Sequence, residues 1–271
     1  MTALLLPLER LKMNYDVTIK SHPKDYHKLS LVVESLSFLS PQPKNIYIIS
    51  PDGFIPESKK YKDILVAVKD SEIVPNIDRD KFAERKNWAW QNSLSILQDI
   101  TENDLYLDVQ SDNFFIKEVE LFDPEKKPKL FRSIQNLNNN AGWSPYFVFN
   151  KNVFDLDRTW DGYSYIIEFM LYDKKILKDF FINKFGSIDN LLLNMYKNNN
   201  NFSYLGDQEF YGSLVESLYP NKYSFVDNTP VILGGSDNDV TVEFLKEYED
   251  KIKKMYPETI AFSYHTWRRT E

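Results

Sequence analysis

Leu105-Tyr-Leu-Asp-Val-Gln-Ser-Asp-Asn-Phe-Phe-Ile116 is the stretch on which the fold turns. With Asp104 in front, its first half is an apolar, β-rich run of the length of a buried strand. It passes directly into closely spaced oxygen-bearing side chains at Gln110, Ser111, Asp112 and Asn113, and a second apolar patch follows. Strand alternation turns Asp108 away from whatever the end of the strand serves, so Gln110 and Asp112 rank above it. The competing reading is a turn whose Asp and Asn merely cap backbone groups.

Upstream, Asp16-Val-Thr-Ile-Lys-Ser21 reads as a strand closed by His22-Pro23, because proline cannot continue a central ladder. It delivers Lys20 and Ser21 to its C-terminal edge. Apolar residues from Leu29 to Leu39 recur at helical spacing, and Ile46-Tyr-Ile-Ile49 is a buried strand ended by Ser50-Pro-Asp-Gly53. Ile64-Leu-Val-Ala-Val68 is a third strand. A helix is expected over 81–100, with Arg85 and Gln91 among its polar positions and Trp88 and Trp90 as core anchors. This alternation predicts an α/β fold with a mostly parallel sheet flanked by helices. Ligands of such sheets lie beyond the carboxyl ends of the strands.

Downstream, strands are expected at 129–132 and 146–149 around an Asn138-Asn-Asn140 loop, and one or two helices over 163–181, carrying Glu168. Helices are predicted at 207–218 and 242–255, and Ile260-Ala-Phe262 opens the last strand. No repeat or Pro/Gly-rich linker divides the chain, so one domain over 1–271 is the expectation.

Composition narrows the chemistry. The 271 residues are 42% hydrophobic and 27% charged, which suits a chain able to bury a substantial core. Cysteine is absent, which removes disulfides, thiolate metal sites and a cysteine nucleophile, and fits a reducing compartment. The net charge of −7 disfavours a large nucleic-acid interface. Met1-Thr-Ala-Leu-Leu-Leu-Pro-Leu-Glu9 lacks a basic start and meets Pro7, so a signal peptide is not expected, nor is a membrane span. A cytoplasmic location follows as an expectation. P-loop, dinucleotide, His-Glu-x-x-His and Gly-x-Ser-x-Gly patterns are all missing.

The strand ending in Gln110-Ser111-Asp112 and followed by Phe114-Phe-Ile116 resembles the metal-binding Asp-x-Asp loop of GT-A type glycosyltransferases. Asp16 to Ser21, Trp88-Ala-Trp-Gln-Asn92, Tyr165-Ile-Ile-Glu-Phe-Met170 and Asp207-Gln-Glu-Phe-Tyr-Gly212 resemble, in that order, landmarks of a family of GT-A glycosyltransferase-like proteins. The resemblance spans most of the chain from Asp16 to Gly212. It implies a Rossmann-like half for the donor nucleotide at about 14–116 and an acceptor-binding half at about 117–271. The activity it implies is transfer of a hexosyl or pentosyl group from a nucleotide-diphosphate sugar, UDP favoured, to a glycan hydroxyl. An inactive nucleotide- or sugar-binding module of the same fold is the alternative.

Site residues follow from the same resemblance. Asp112 matches the acidic residue that usually ligates the cation, Mn²⁺ or Mg²⁺, while Gln110 replaces the first aspartate of the pattern and becomes a donor contact. His265 matches a C-terminal histidine that completes the metal shell, and imidazole with carboxylate suits Mn²⁺. Thr18, Lys20 and Ser21 fall where the first strand meets the donor nucleotide, Lys20 as a point charge for phosphate. Arg85 and Gln91 fall on the helix that lines the donor pocket, where Arg85 would suit the donor's pyrophosphate. Asp207 and Glu209 are the candidates for the carboxylate that takes the acceptor proton, and Glu168 is a further sugar contact. For Lys20, Asp207, Glu209 and His265 an ordinary structural role stays open on sequence alone.

Overall fold

The computed structural model describes residues 13–74, 76–134, 144–158, 162–236 and 240–266. Five strands form the main sheet, in the order Phe169–Asp173, Leu105–Gln110, Asp16–Lys20, Ile46–Ser50, Leu65–Lys69. The last four run parallel, and Phe169–Asp173 is antiparallel to Leu105–Gln110. Asp16–Lys20 and Ile46–Ser50 are buried at every position, as interior strands covered on both faces must be, whereas Leu65–Lys69 is half open at the edge. The expected α/β architecture with a mostly parallel sheet is therefore what the chain adopts.

Register sets the working edge of this sheet. Thr18 pairs with Asp108 and Lys20 with Gln110 and Ile49, so the carboxyl ends of three strands finish side by side. Because Phe169–Asp173 runs the other way, its amino end lies at the same edge, and the Gln110 N–H donates to the Glu168 carbonyl at 3.0 Å. After Gln110 the chain leaves the sheet. Asn113–Phe115 pairs antiparallel with Ala261–Thr266, which pairs in parallel with Val231–Ser236. Residues 150 apart in sequence thus meet at Asn113 and Ser263.

Helix Tyr26–Ser35 packs Leu29, Val32 and Val33 into the core that the sheet shares with Val17, Ile19, Leu107 and Val109. A second, aromatic-rich core holds Phe154, Phe180, Phe181 and Phe210 beneath helix Asp207–Leu218, with the Phe154 and Phe210 ring centroids 4.0 Å apart. That helix begins and ends as predicted, and Val242–Met255 does too.

Three predicted elements differ. Residues 145–149 form a helix, not a strand, because Ser144 caps the Tyr146 N–H and Pro145 occupies the first helical position. The 163–181 segment starts as two strands, Tyr163–Ser164 and Phe169–Asp173, and turns helical only at Lys174, where Asp173 caps the new helix. A short all-apolar run such as Phe169-Met-Leu-Tyr172 carries no period that separates buried strand from buried helix. The helix expected over 81–100 is confined to Lys86–Leu97. The Asn138–Asn140 loop lies outside the described residues, as do Trp267, Arg268 and Arg269. No helix among the described residues is long and apolar enough to cross a membrane.

Candidate functional site

A cavity of about 760 Å³ opens at the carboxyl edge of the main sheet. Its walls include Lys20, Ser21, Arg85, Gln91, Gln110, Asp112, Glu168, Asp207 and His265, nine of the eleven residues singled out from sequence. Thr18 and Glu209 are the two that the fold keeps out of it.

Asp112, Glu168 and His265 form the chemical centre. Their ligand-type atoms all lie within 4.8 Å of one another. The His265 Nδ1 is 2.8 Å from Asp112 Oδ2, and its Nε2 is 3.8 Å from Glu168 Oε1. Pairing of the Asn113 and Ala261 strands brings Asp112 and His265 together, and the Tyr264 N–H donates to the Asp112 carbonyl at 3.0 Å. Glu168 arrives from the antiparallel edge strand with a left-handed backbone, φ 70°, a conformation that L side chains seldom take. The Gln208 side chain holds it there, its Oε1 accepting from the Ile167 and Glu168 N–H groups at 2.9 and 3.2 Å.

Electrostatics in the cluster are those of a site short of positive charge. Burial pushes the Glu168 carboxyl up to about 7, with Asp112 and Asp207 adding to the rise and His265 and Lys20 opposing it. Burial works against a charged His265, but the hydrogen bond and charge of Asp112 and the charge of Glu168 outweigh it and raise the imidazole to about 9. Burial likewise acts to raise Asp112, yet its bond to His265 leaves it below the ordinary carboxylate value. An imidazolium set between two carboxylates occupies the place a divalent cation would take. One imidazole nitrogen with two carboxylate oxygens is a donor set that fits Mn²⁺ or Mg²⁺.

Lys20 lies on the cavity wall, but its charge is already committed. The ammonium is ion-paired with Asp108, the two side chains 3% and 1% exposed, and it donates to Ser95 Oγ at 2.5 Å. Asp108, ranked low from strand alternation, is the buried anchor of this edge. Its other oxygen accepts from Thr18 Oγ1 at 2.8 Å, which turns the Thr18 hydroxyl into the sheet and away from any nucleotide.

Asp207 and Glu209 part company for a geometric reason: residues two apart on a helix face nearly opposite ways. Asp207 faces the cavity and accepts from the Tyr172 hydroxyl at 2.9 Å. Its pKa is raised, chiefly by burial, with Lys20 opposing and Asp108 adding. Glu209 points into the protein, where it is ion-paired with the buried Arg158 and accepts from Ser164 Oγ at 3.1 Å and Tyr165 N–H at 3.2 Å. A carboxylate so engaged faces away from the cavity wall on which its expected role would place it.

Trp88 differs from the core anchor expected of it. Neighbouring Ala89 is the buried residue, while Trp88 is half-buried on the cavity wall against Tyr146 and Tyr204. Arg85, at φ 44° just before helix Lys86–Leu97, lays its guanidinium 4.3 Å from the Trp88 ring centroid and 4.9 Å from that of Tyr204. Sequence reasoning missed Tyr146 and Gln208, although Gln208 sits inside the quoted Asp207 to Gly212 landmark.

No family model and no curated protein matches the chain. Solved structures similar to it include the following two. Mouse xyloside xylosyltransferase 1, in its apo form, is 9% identical over 92% of this chain and 97% of its own, with a TM-score of 0.44. The galactosyltransferase LgtC, solved with donor and acceptor sugar analogues, is 12% identical over 92% of this chain and 86% of its own, also at 0.44.

Proposed function

We propose that this protein is a GT-A-like glycosyltransferase that moves a sugar from a nucleotide-diphosphate donor, UDP favoured, to a hydroxyl of a glycan acceptor. The observation that carries the reading is the Asp112, Glu168 and His265 cluster on the wall of a ligand-sized cavity at the carboxyl edge of a parallel sheet. Glu168 supplies the second carboxylate that Gln110 cannot, which answers the departure of the Gln110-Ser111-Asp112 loop from two aspartates. These three residues would hold Mn²⁺ or Mg²⁺, and the bound cation would neutralise charge on the departing diphosphate.

The remaining roles fall to the cavity walls. Ser21, Gln91 and Gln110 are neutral hydrogen-bonding groups suited to ribose and sugar hydroxyls. In the transfer, the bond between the anomeric carbon and the diphosphate oxygen breaks and a bond to the acceptor oxygen forms. The acceptor proton passes to the Asp207 carboxylate, whose raised pKa suits it to hold a proton. The nucleoside diphosphate leaves. The parallel strands up to about residue 116 serve the donor, and the segments from about 117 onward serve the acceptor.

Thermal-shift measurements with UDP, GDP, CDP and ADP, each with and without Mn²⁺, test this directly. One nucleotide should raise the melting temperature only in the presence of the metal, and Asp112→Ala or Glu168→Gln should remove that rise. Absence of a response to every nucleotide would refute the reading. A donor that binds with metal but is neither hydrolysed nor transferred would assign the chain to the inactive binding module instead.

A further inference from the structure

Arg85, expected from the sequence resemblance among the donor contacts, is a cavity cation to which the proposed transfer assigns no step. Its guanidinium is fixed by the Trp88 and Tyr204 rings, 4.3 and 4.9 Å from their centroids, and it lies beside the Tyr146 hydroxyl. Stacking uses the flat face of a guanidinium and leaves its N–H edge available to an anion. Among the described residues no acidic side chain forms an ion pair with it, in contrast to Lys20, which is tied to Asp108. An arginine held in place by rings and not by a carboxylate keeps its full charge for a ligand.

Its position says which ligand. Asp70 senses the charges of Arg79 and His22, and these three line the cavity at the ends of the parallel strands, where the nucleotide belongs. Arg85 instead shares its cradle with Tyr146 and Tyr204, which come from segments outside those strand and helix repeats. Pro145 and Tyr204 are joined by a backbone hydrogen bond of 3.4 Å, which fixes the two tyrosines against each other. Burial pushes the Tyr146 phenol up to about 12, and it senses both Arg85 and Glu168, so its ring links the cradle to the acidic cluster. Asn87 and Gln208 add neutral hydrogen-bonding groups to the cavity wall, and Trp88 adds an apolar surface. We infer that the Arg85 cradle binds an anionic substituent, a carboxylate or a phosphate, carried by the acceptor saccharide. The inference rests on the transferase reading and adds to it a class of acceptor.

The test titrates the whole chain by ligand-observed NMR with methyl β-D-glucuronide, D-galactose 6-phosphate, methyl β-D-glucoside and inorganic phosphate. Wild type should bind one of the two charged sugars about tenfold or more tightly than the neutral glucoside, the scale of hydrogen bonds to a charged group. Arg85→Gln should bring that ligand down to the neutral level, and Arg85→Lys should keep part of the preference. The metal-dependent nucleotide shift should be unchanged in both variants. Equal binding of charged and neutral sugars by wild type, which needs no variant to fold, overturns the inference. So does a preference that survives Arg85→Gln, or inorganic phosphate binding as tightly as the sugar phosphate. Loss of the nucleotide shift in Arg85→Gln would make Arg85 a diphosphate ligand, which also overturns it while the transferase reading stands. Failure of that reading shows up separately, as a wild type that answers no nucleotide.

Discussion

Replacing Lys20 by methionine separates a charge that serves the fold from one that serves a ligand. The ammonium and the Asp108 carboxylate are 3% and 1% exposed, so methionine leaves a dry anion supported only by Thr18 Oγ1 at 2.8 Å and Ser95 Oγ at 3.3 Å. Breaking one side of a buried ion pair costs about 3–5 kcal/mol. At about 2–4 °C per kcal/mol for a large domain, the melting temperature should fall by roughly 6–20 °C. Lys20→Met combined with Asp108→Asn should recover a large part of that loss, because the amide oxygen still accepts from Thr18 and no unpaired charge is left at position 108. Urea denaturation followed by circular dichroism, arranged as a double-mutant cycle, measures the coupling. A loss within the about 0.5 kcal/mol typical of surface substitutions, together with abolished donor binding, would refute the argument and return Lys20 to the diphosphate.

Three further substitutions probe the site and its supports. Asp207→Asn should leave nucleotide and metal binding intact while sharply reducing transfer, as product analysis would show, since the amide cannot take a proton. Asp207 also carries a pH signature: its raised native pKa means that the folded state holds the proton more firmly than the unfolded one. Its contribution is therefore most favourable below about pH 4 and declines as pH rises toward the native value. The melting temperature of Asp207→Asn relative to wild type should accordingly rise from pH 4 to pH 7.5, and a flat or falling difference would contradict the sign. Glu209→Gln should destabilise by about 3 kcal/mol in denaturant titrations because it strips the buried Arg158 of its closest carboxylate, whereas a stable but inactive variant would restore Glu209 as the base. Gly212→Ala would drive a Cβ into the Tyr165 ring, so a loss of about 1–3 kcal/mol or more is expected, and a melting temperature equal to wild type would contradict the argument.

Local periodicity was enough to find the parallel strands at Asp16, Ile46 and Leu105, and to bound the helices Asp207–Leu218 and Val242–Met255, because alternation of strand and helix is written into short windows of sequence. It failed at 145–149 and 163–173, where aromatic runs are apolar on every side and only capping and pairing partners choose between helix and strand. The family resemblance marked Asp112, His265, Asp207 and Glu168 as worth watching. Which of them meet was decided by pairings between distant segments: Asp112 with His265 across 153 positions, and Glu168 through an edge strand whose antiparallel direction brings its amino end to the ligand side. The same tertiary contacts closed Lys20 onto Asp108, turned Glu209 inward and left Asp207 facing the cavity. A sequence lists the charges, but whether a charge is available to a ligand depends on what is folded against it, and that is a property of long-range packing.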